Sequence, residues 1–130
     1  MTDAYADVPG TQPVTIFHNP ECSKSRGALE MLNERSVDYR VVDYLVSPPS
    51  KETLAMIAST LVDPVPELIR TTDERFIELG VDPDTYRSAE EVIAFLFAHP
   101  DLMQRPVVVA GDRAVIARPT ERLAELLDGI

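Results

Sequence analysis

The sequence predicts one α/β domain whose four-stranded mixed sheet follows the order βαβ…ββα, with a helical insertion between the second and third strands. Three observations carry that prediction. The β-branched run VTIFH (Val14–His18) is followed by a helical period and then by a second extended run. From about residue 50 to residue 104 the signals are helical. Then PVVVAGDRAVIA holds two β-rich runs joined by Gly111-Asp112, ahead of a last amphipathic segment.

Residues 1–13 carry no usable periodicity and read as a flexible N-terminal leader to a domain over 14–130. Val14–His18 reads as a short buried strand, which Asn19-Pro20 breaks. Over residues 23–35 the spacing predicts a helix with Ala28, Leu29 and Leu32 on one face. Residues 38–46, DYRVVDYLV, read as extended again until Pro48-Pro49 ends them. Ser50 can cap a helix whose Leu54, Ile57, Ala58 and Leu61 fall at i, i+3, i+4 and i+7. Shorter helical pieces are expected around residues 66–70 and 73–79. Ser88 with Glu91 then forms a capping box ahead of Val92, Ile93, Leu96 and Phe97. The hairpin is expected over residues 107–117. Leu123, Leu126, Leu127 and Ile130 mark a closing helix, with Thr120 placed to cap it. A βαβ unit makes a parallel pair by a right-handed crossover, and a hairpin extends the same sheet with antiparallel strands; a thioredoxin/glutaredoxin-like sheet is one such arrangement.

Composition narrows the partners. With apolar residues at 45% and charged ones at 26%, the chain is too apolar to stay disordered. A net charge of -10 disfavours nonspecific attraction to nucleic acid or an anionic membrane, so no nucleic-acid and no membrane partner is expected. The cations are ten arginines and two lysines, and the planar arginine fork suits bidentate oxyanion binding. One cysteine cannot close an internal disulfide, and the acidic opening MTDAYADVPG lacks the basic start of a secretory signal. The expected compartment is the reducing cytoplasm.

That cysteine is the chemical centre of the sequence. In HNPECSKSR, residues 18–26, Cys22 falls at the N-cap of the first helix, where free N–H groups and the macrodipole favour negative charge. A free thiol titrates at about 8.5, and such surroundings lower it into the range of roughly 3.5 to 7.5. Ser25 and Arg26 follow at i+3 and i+4 on the same face, and Lys24 adds charge. A free cysteine is more commonly a small buried apolar residue. Here Glu21, Ser23, Lys24 and Ser25 are all polar, which favours a reactive thiolate. His18, at the strand end, is as often structural as chemical in such a position. Arg70, Arg105 and Arg118, each taken alone, read as surface charges. Arg105 and Arg118 nevertheless border the hairpin and precede prolines, whose geometry restricts the backbone there. Were the hairpin's ends beside the Cys22 turn, these arginines could surround an oxyanion over the sulfur.

Read together and in order, HNPECSKSR, YLVSPPSKETL, LIR, HPDLMQRPVVV and ARPTE resemble the glutaredoxin-coupled arsenate reductase family, the ArsC type with a thioredoxin-like fold. A C-x-x-S alone is a weak signal; with Q-R-P-V-V-V and A-R-P-T-E it becomes specific. The resemblance implies that Cys22 is the nucleophile of a covalent thiol-arsenate adduct and that Arg70, Arg105 and Arg118 bind the oxyanion. It implies that His18 tunes the thiolate, that Ser25 hydrogen-bonds the sulfur and that Pro106 follows a cis peptide bond. It implies neither metal nor bound cofactor. Reduction takes two electrons, so a chain with one thiol needs an external thiol cosubstrate, either glutathione with a glutaredoxin-type reductase or another low-molecular-weight thiol. Two rivals share these residues: a general thiol or mixed-disulfide reductase that uses Cys22 without the arginines, and a redox regulator that binds RNA polymerase.

Overall fold

The computed structural model describes residues 14–128. The leader expected over residues 1–13, and the helix position at Ile130, lie outside the described residues. Strand β1 (Val14–His18) leads through the Cys22 turn into α1 (Ser23–Glu34), which returns to β2 (Tyr39–Asp43). Helices α2 (Lys51–Thr60), α3 (Glu74–Glu78) and α4 (Ala89–Ala98) follow, with short 3-10 turns at Val65–Leu68, Pro83–Thr85 and Pro100–Leu102. The hairpin strands β3 (Val107–Ala110) and β4 (Arg113–Ile116) then lead to α5 (Glu121–Asp128).

The sheet order is β2-β1-β3-β4, with β1 and β2 parallel and the β1–β3 and β3–β4 pairs antiparallel. This is the thioredoxin-like arrangement. Both faces are covered, which is why VTIFH and VVVA read as continuous apolar runs and not as alternating ones. Ile16, Val108 and Val115 face α1 and α5, among Ala28, Leu32, Leu123 and Leu126. Phe17, Val107, Val109 and Ile116 face the other way, into Leu54, Ile57, Phe95 and Leu96 from the helical segment.

Register decides what shares an edge. Phe17 pairs with both Val42 and Val107, and Val107 pairs with Ile116. The carboxyl ends of β1, β2 and β4 and the amino end of β3 therefore meet at one edge of the sheet. The Cys22 turn, Tyr44, Arg105 and Arg118 all leave the sheet there.

Three elements depart from the sequence reading. β2 stops at Asp43, three residues before the expected end, because its partner β1 ends at His18, opposite Asp43. Beyond that point the Asp43 carboxylate accepts the Leu45 N–H at 3.1 Å and its carbonyl accepts from Val46 and Ser47, forming a turn. In α4 the buried stripe is Val92, Phe95 and Leu96, with Ile93 only partly covered. Phe97, expected inside, is 51% exposed beneath the Lys51 ammonium, 5.1 Å from its ring centre. Phe95 takes the interior because it completes an aromatic group with Phe76, Tyr86 and His99 at centroid separations of 5.6, 4.7 and 4.9 Å. The helix expected at residues 66–70 is a 3-10 turn that ends in a bridge between Ile69 and Met103. Both the Arg105–Pro106 and Arg118–Pro119 peptide bonds are cis.

Candidate active site

The Cys22 turn is closed from within. The Cys22 N–H donates to the Asn19 carbonyl at 3.0 Å, the Glu21 N–H donates to Asn19 Oδ1 at 3.0 Å, and Arg26 Nη1 donates to the Pro20 carbonyl at 2.9 Å. Cys22 occupies the N-cap of α1 with extended backbone angles, so its sulfur lies over the free N–H groups of the first turn. Burial pushes the thiol's pKa up. The backbone N–H of Ser25, the Arg105 side chain and the backbone N–H of Lys24 outweigh it and hold the pKa at about 7. At neutral pH the thiolate is therefore a major species.

The arginines arrive by different routes. Arg105 precedes β3, and Arg118 follows β4, carried past the end of the ladder by the bond from the Ala117 N–H to the Pro106 carbonyl at 2.9 Å. Arg118 Nη1 donates to the Arg105 carbonyl at 3.0 Å and lies 3.9 Å from Cys22 Sγ. Arg70 is drawn in by the Ile69–Met103 bridge, flanked by bonds from the Arg70 N–H to the Leu102 carbonyl and from the Gln104 N–H to the Leu68 carbonyl. Its side chain is pinned by Asp73 at 2.8 Å. Burial lowers the Arg70 pKa, Arg105 and Arg118 lower it further, and Asp73 opposes them. Three guanidinium groups thus crowd one spot in a chain of net charge -10, an arrangement that a bound anion relieves.

Two candidate residues sit differently from the sequence reading. The Ser25 hydroxyl is fully buried and accepts the Asn19 N–H at 3.3 Å, so Ser25 acts on the sulfur through its backbone N–H. His18 is buried; desolvation lowers its pKa against the pull of Asp43, leaving it neutral at pH 7. It therefore adds no positive charge beside the thiolate, and its Nδ1 is buried without a hydrogen-bond partner. Sequence reasoning passed over Tyr44, which lies beside Arg105, Asn19 and Arg70. Among the described residues no group of three or more His, Cys, Asp or Glu is gathered as a metal ion would require, and no helix is long and apolar enough to cross a membrane.

Residues 17–126 match the ArsC family. The chain belongs to the ArsC family. The arsenate reductase of Rhizobium meliloti (strain 1021) is 41% identical over 115 residues, 88% of this chain and 81% of that protein. The uncharacterized protein YfgD of Escherichia coli (strain K12) is 39% identical over 118 residues, 90% of this chain and 98% of that protein. Among solved structures, an arsenate reductase from Vibrio cholerae superposes with a TM-score of 0.77 at 35% identity, covering 86% of this chain and 95% of the other. The sheet and the helical segment of this ArsC-family protein are thus those of its relatives.

The geometry carries a pH prediction. Because the thiolate is the nucleophile, the alkylation rate of Cys22 should rise with pH and reach half its plateau near pH 7, well below the ordinary thiol midpoint of about 8.5. Arg105→Ala removes a cation that favours the thiolate, so the midpoint should move upward. Stopped-flow alkylation against pH measures both; a wild-type midpoint at the ordinary value would mean that Cys22 is not activated.

Proposed function

We propose that this ArsC-family protein reduces arsenate to arsenite, with Cys22 as nucleophile and Arg70, Arg105 and Arg118 as the oxyanion's cradle. The observation that carries the reading is the thiolate facing three clustered arginines, in a chain similar to proteins named arsenate reductase. Arsenate is a tetrahedral oxyanion, and a thiolate approaches it only where cations offset the repulsion between two negative groups. Cys22 Sγ attacks arsenic, forming an S–As bond; one arsenate oxygen takes up protons and leaves as water.

The remaining steps need sulfur that this chain does not have. An external thiolate joins the Cys22 sulfur in a mixed disulfide, the electron pair of the S–As bond stays on arsenic, and arsenite departs trivalent. A further thiol then frees Cys22 by exchange. Glutathione with a glutaredoxin-type partner, or another low-molecular-weight thiol, fills these roles. A cavity of about 460 Å³ lined by Thr71, Thr72, Tyr86 and Gln104 also touches Arg70 and Arg118, two of the three arginines.

The test is arsenite formation from arsenate with glutathione, with and without a glutaredoxin, alongside intact mass after arsenate alone. Arsenite should appear only when arsenate and thiol are both present, and the mass should show one arsenic adduct on the protein. Absence of both, with reduction of a glutathionylated peptide that survives Arg70→Ala and Arg105→Ala, would instead establish a mixed-disulfide reductase.

A further inference from the structure

Among the buried polar atoms without a hydrogen-bond partner, two at the edge of the site are neighbours. Tyr44 is 0% exposed and its hydroxyl is unpartnered; Arg105 Nε–H is buried and unpartnered too. Orphaned buried polar groups are uncommon, and two beside each other call for a shared explanation. The hydroxyl lies close to the Arg105 guanidinium and to Asn19, and the guanidinium close to the Cys22 sulfur, yet neither the hydroxyl nor Nε–H meets a partner in hydrogen-bonding geometry.

What both groups have to offer is a proton. Arg105 Nε–H is a donor only, and the guanidinium has no acceptor. Burial raises the Tyr44 pKa, and although Arg105 opposes this, the hydroxyl stays protonated at neutral pH. The tyrosine oxygen can also accept, but one acceptor placed between the two groups satisfies the O–H and the N–H together. Of the oxygens nearby, Asn19 Oδ1 already accepts the Glu21 N–H and the Arg105 carbonyl already accepts Arg118 Nη1. Tyr44 is the first residue beyond β2, and its ring is packed in the core with Phe17 and Val42, so the hydroxyl is held where it stands. Its neighbours Asn19, Arg70 and Arg105 all belong to the edge where Cys22 lies.

We infer that Tyr44 is an oxyanion-binding residue: its hydroxyl and Arg105 Nε–H converge on one oxygen of the anion held at Cys22. The inference rests on the oxyanion reading of the site given above. In the free protein both donors wait unpaired, so the cost of desolvating them is met on folding and their hydrogen bonds are gained when the anion binds.

Tyr44→Phe keeps the ring and removes only the oxygen. The readout is protection of Cys22 from alkylation by arsenate, with phosphate as a second, unreduced tetrahedral probe. Each rate is divided by that of the same protein without anion, which cancels differences in intrinsic reactivity. The half-protecting concentration should rise about tenfold in Tyr44→Phe for both anions, equivalent to ~1.4 kcal/mol. The thermal midpoint of the anion-free variant should be no lower than wild type, since an unpaired hydroxyl is lost. Equal protection of variant and wild type overturns the role of Tyr44 alone. A lowered midpoint with unchanged protection overturns it as well, by making the hydroxyl structural. If neither anion protects wild type, the oxyanion reading fails and Tyr44's role fails with it.

Discussion

Cys22→Ser should form no arsenite at any thiol concentration, a loss of roughly 10³-fold or more, and its mass should be unchanged by arsenate. The reason is protonation. The groups that hold the Cys22 thiol at about pKa 7 stabilise a sulfur anion, and a serine hydroxyl in the same place stays protonated throughout the neutral range. The variant should fold normally, because Cys22 is only half-buried and serine is itself a favoured N-cap residue. It should also keep arsenate within reach, since two of the arginines have anchors other than the sulfur: Arg118 the Arg105 carbonyl and Arg70 the Asp73 carboxylate. Retained turnover in Cys22→Ser would remove the sulfur from the mechanism altogether.

The division between what holds the arginines and what they act on is the design of this edge. Like charges brought together cost free energy unless each is tied elsewhere, and burial makes the cost larger. Arg70 carries its own carboxylate, Asp73, close by. Arg105 gains from Cys22 and Tyr44 against the penalty of its own burial. Arg118 is fixed by a carbonyl and not by a counter-ion, so its charge is left for the sulfur and for whatever binds over it. On the proposed reading, a tetrahedral anion would meet guanidinium groups already held in place.

How much of this the sequence disclosed depended on whether a feature was local. The first strand, the Asn19-Pro20 break, the cap position of Cys22 and the hairpin around Gly111 are written in neighbouring residues, and periodicity and turn chemistry reveal them. The Ser88–Glu91 capping box was equally legible and forms both of its bonds. Phe97 was misplaced because Phe95 and Phe97 compete for one interior slot, and only the positions of Phe76 and Tyr86 decide between them. The approach of Arg70 to the other two arginines was invisible to spacing, since it hangs on a single bridge from Ile69 to Met103 with no periodic signature. Tyr44 was hidden inside a strand read as too long. Once β2 is seen to end at Asp43, the tyrosine becomes the first residue of a turn whose side chain still shares the inward face of Val42.

Asp63 is the other residue whose loss should be severe, and its weight lies in stability. Its side chain is 4% exposed, pairs with Arg122 and accepts the Ile116 N–H at 2.9 Å. Asp63→Ala leaves that N–H without its partner and the Arg122 guanidinium with only the Ile116 carbonyl, at 3.2 Å. Breaking a buried charge pair from one side costs about 3 kcal/mol, which in a domain of this size lowers the thermal midpoint by roughly 10 °C. Removing both charges should cost less than the sum of the two single changes, because the double variant Asp63→Ala with Arg122→Met no longer strands a cation. The damage should reach the site. Ile116 is the last residue of β4, and Arg118 Nη1 lies over the sulfur only while that end of the strand is held. Below its melting range Asp63→Ala should therefore bind arsenate more weakly while the alkylation midpoint of Cys22 stays near pH 7, since Arg105 and the first turn of α1 supply that shift. Thermal denaturation of the three variants tests the coupling. A wild-type midpoint in Asp63→Ala would show that the β4 end needs no anchor, and would leave the hairpin ladder to position Arg118 unaided.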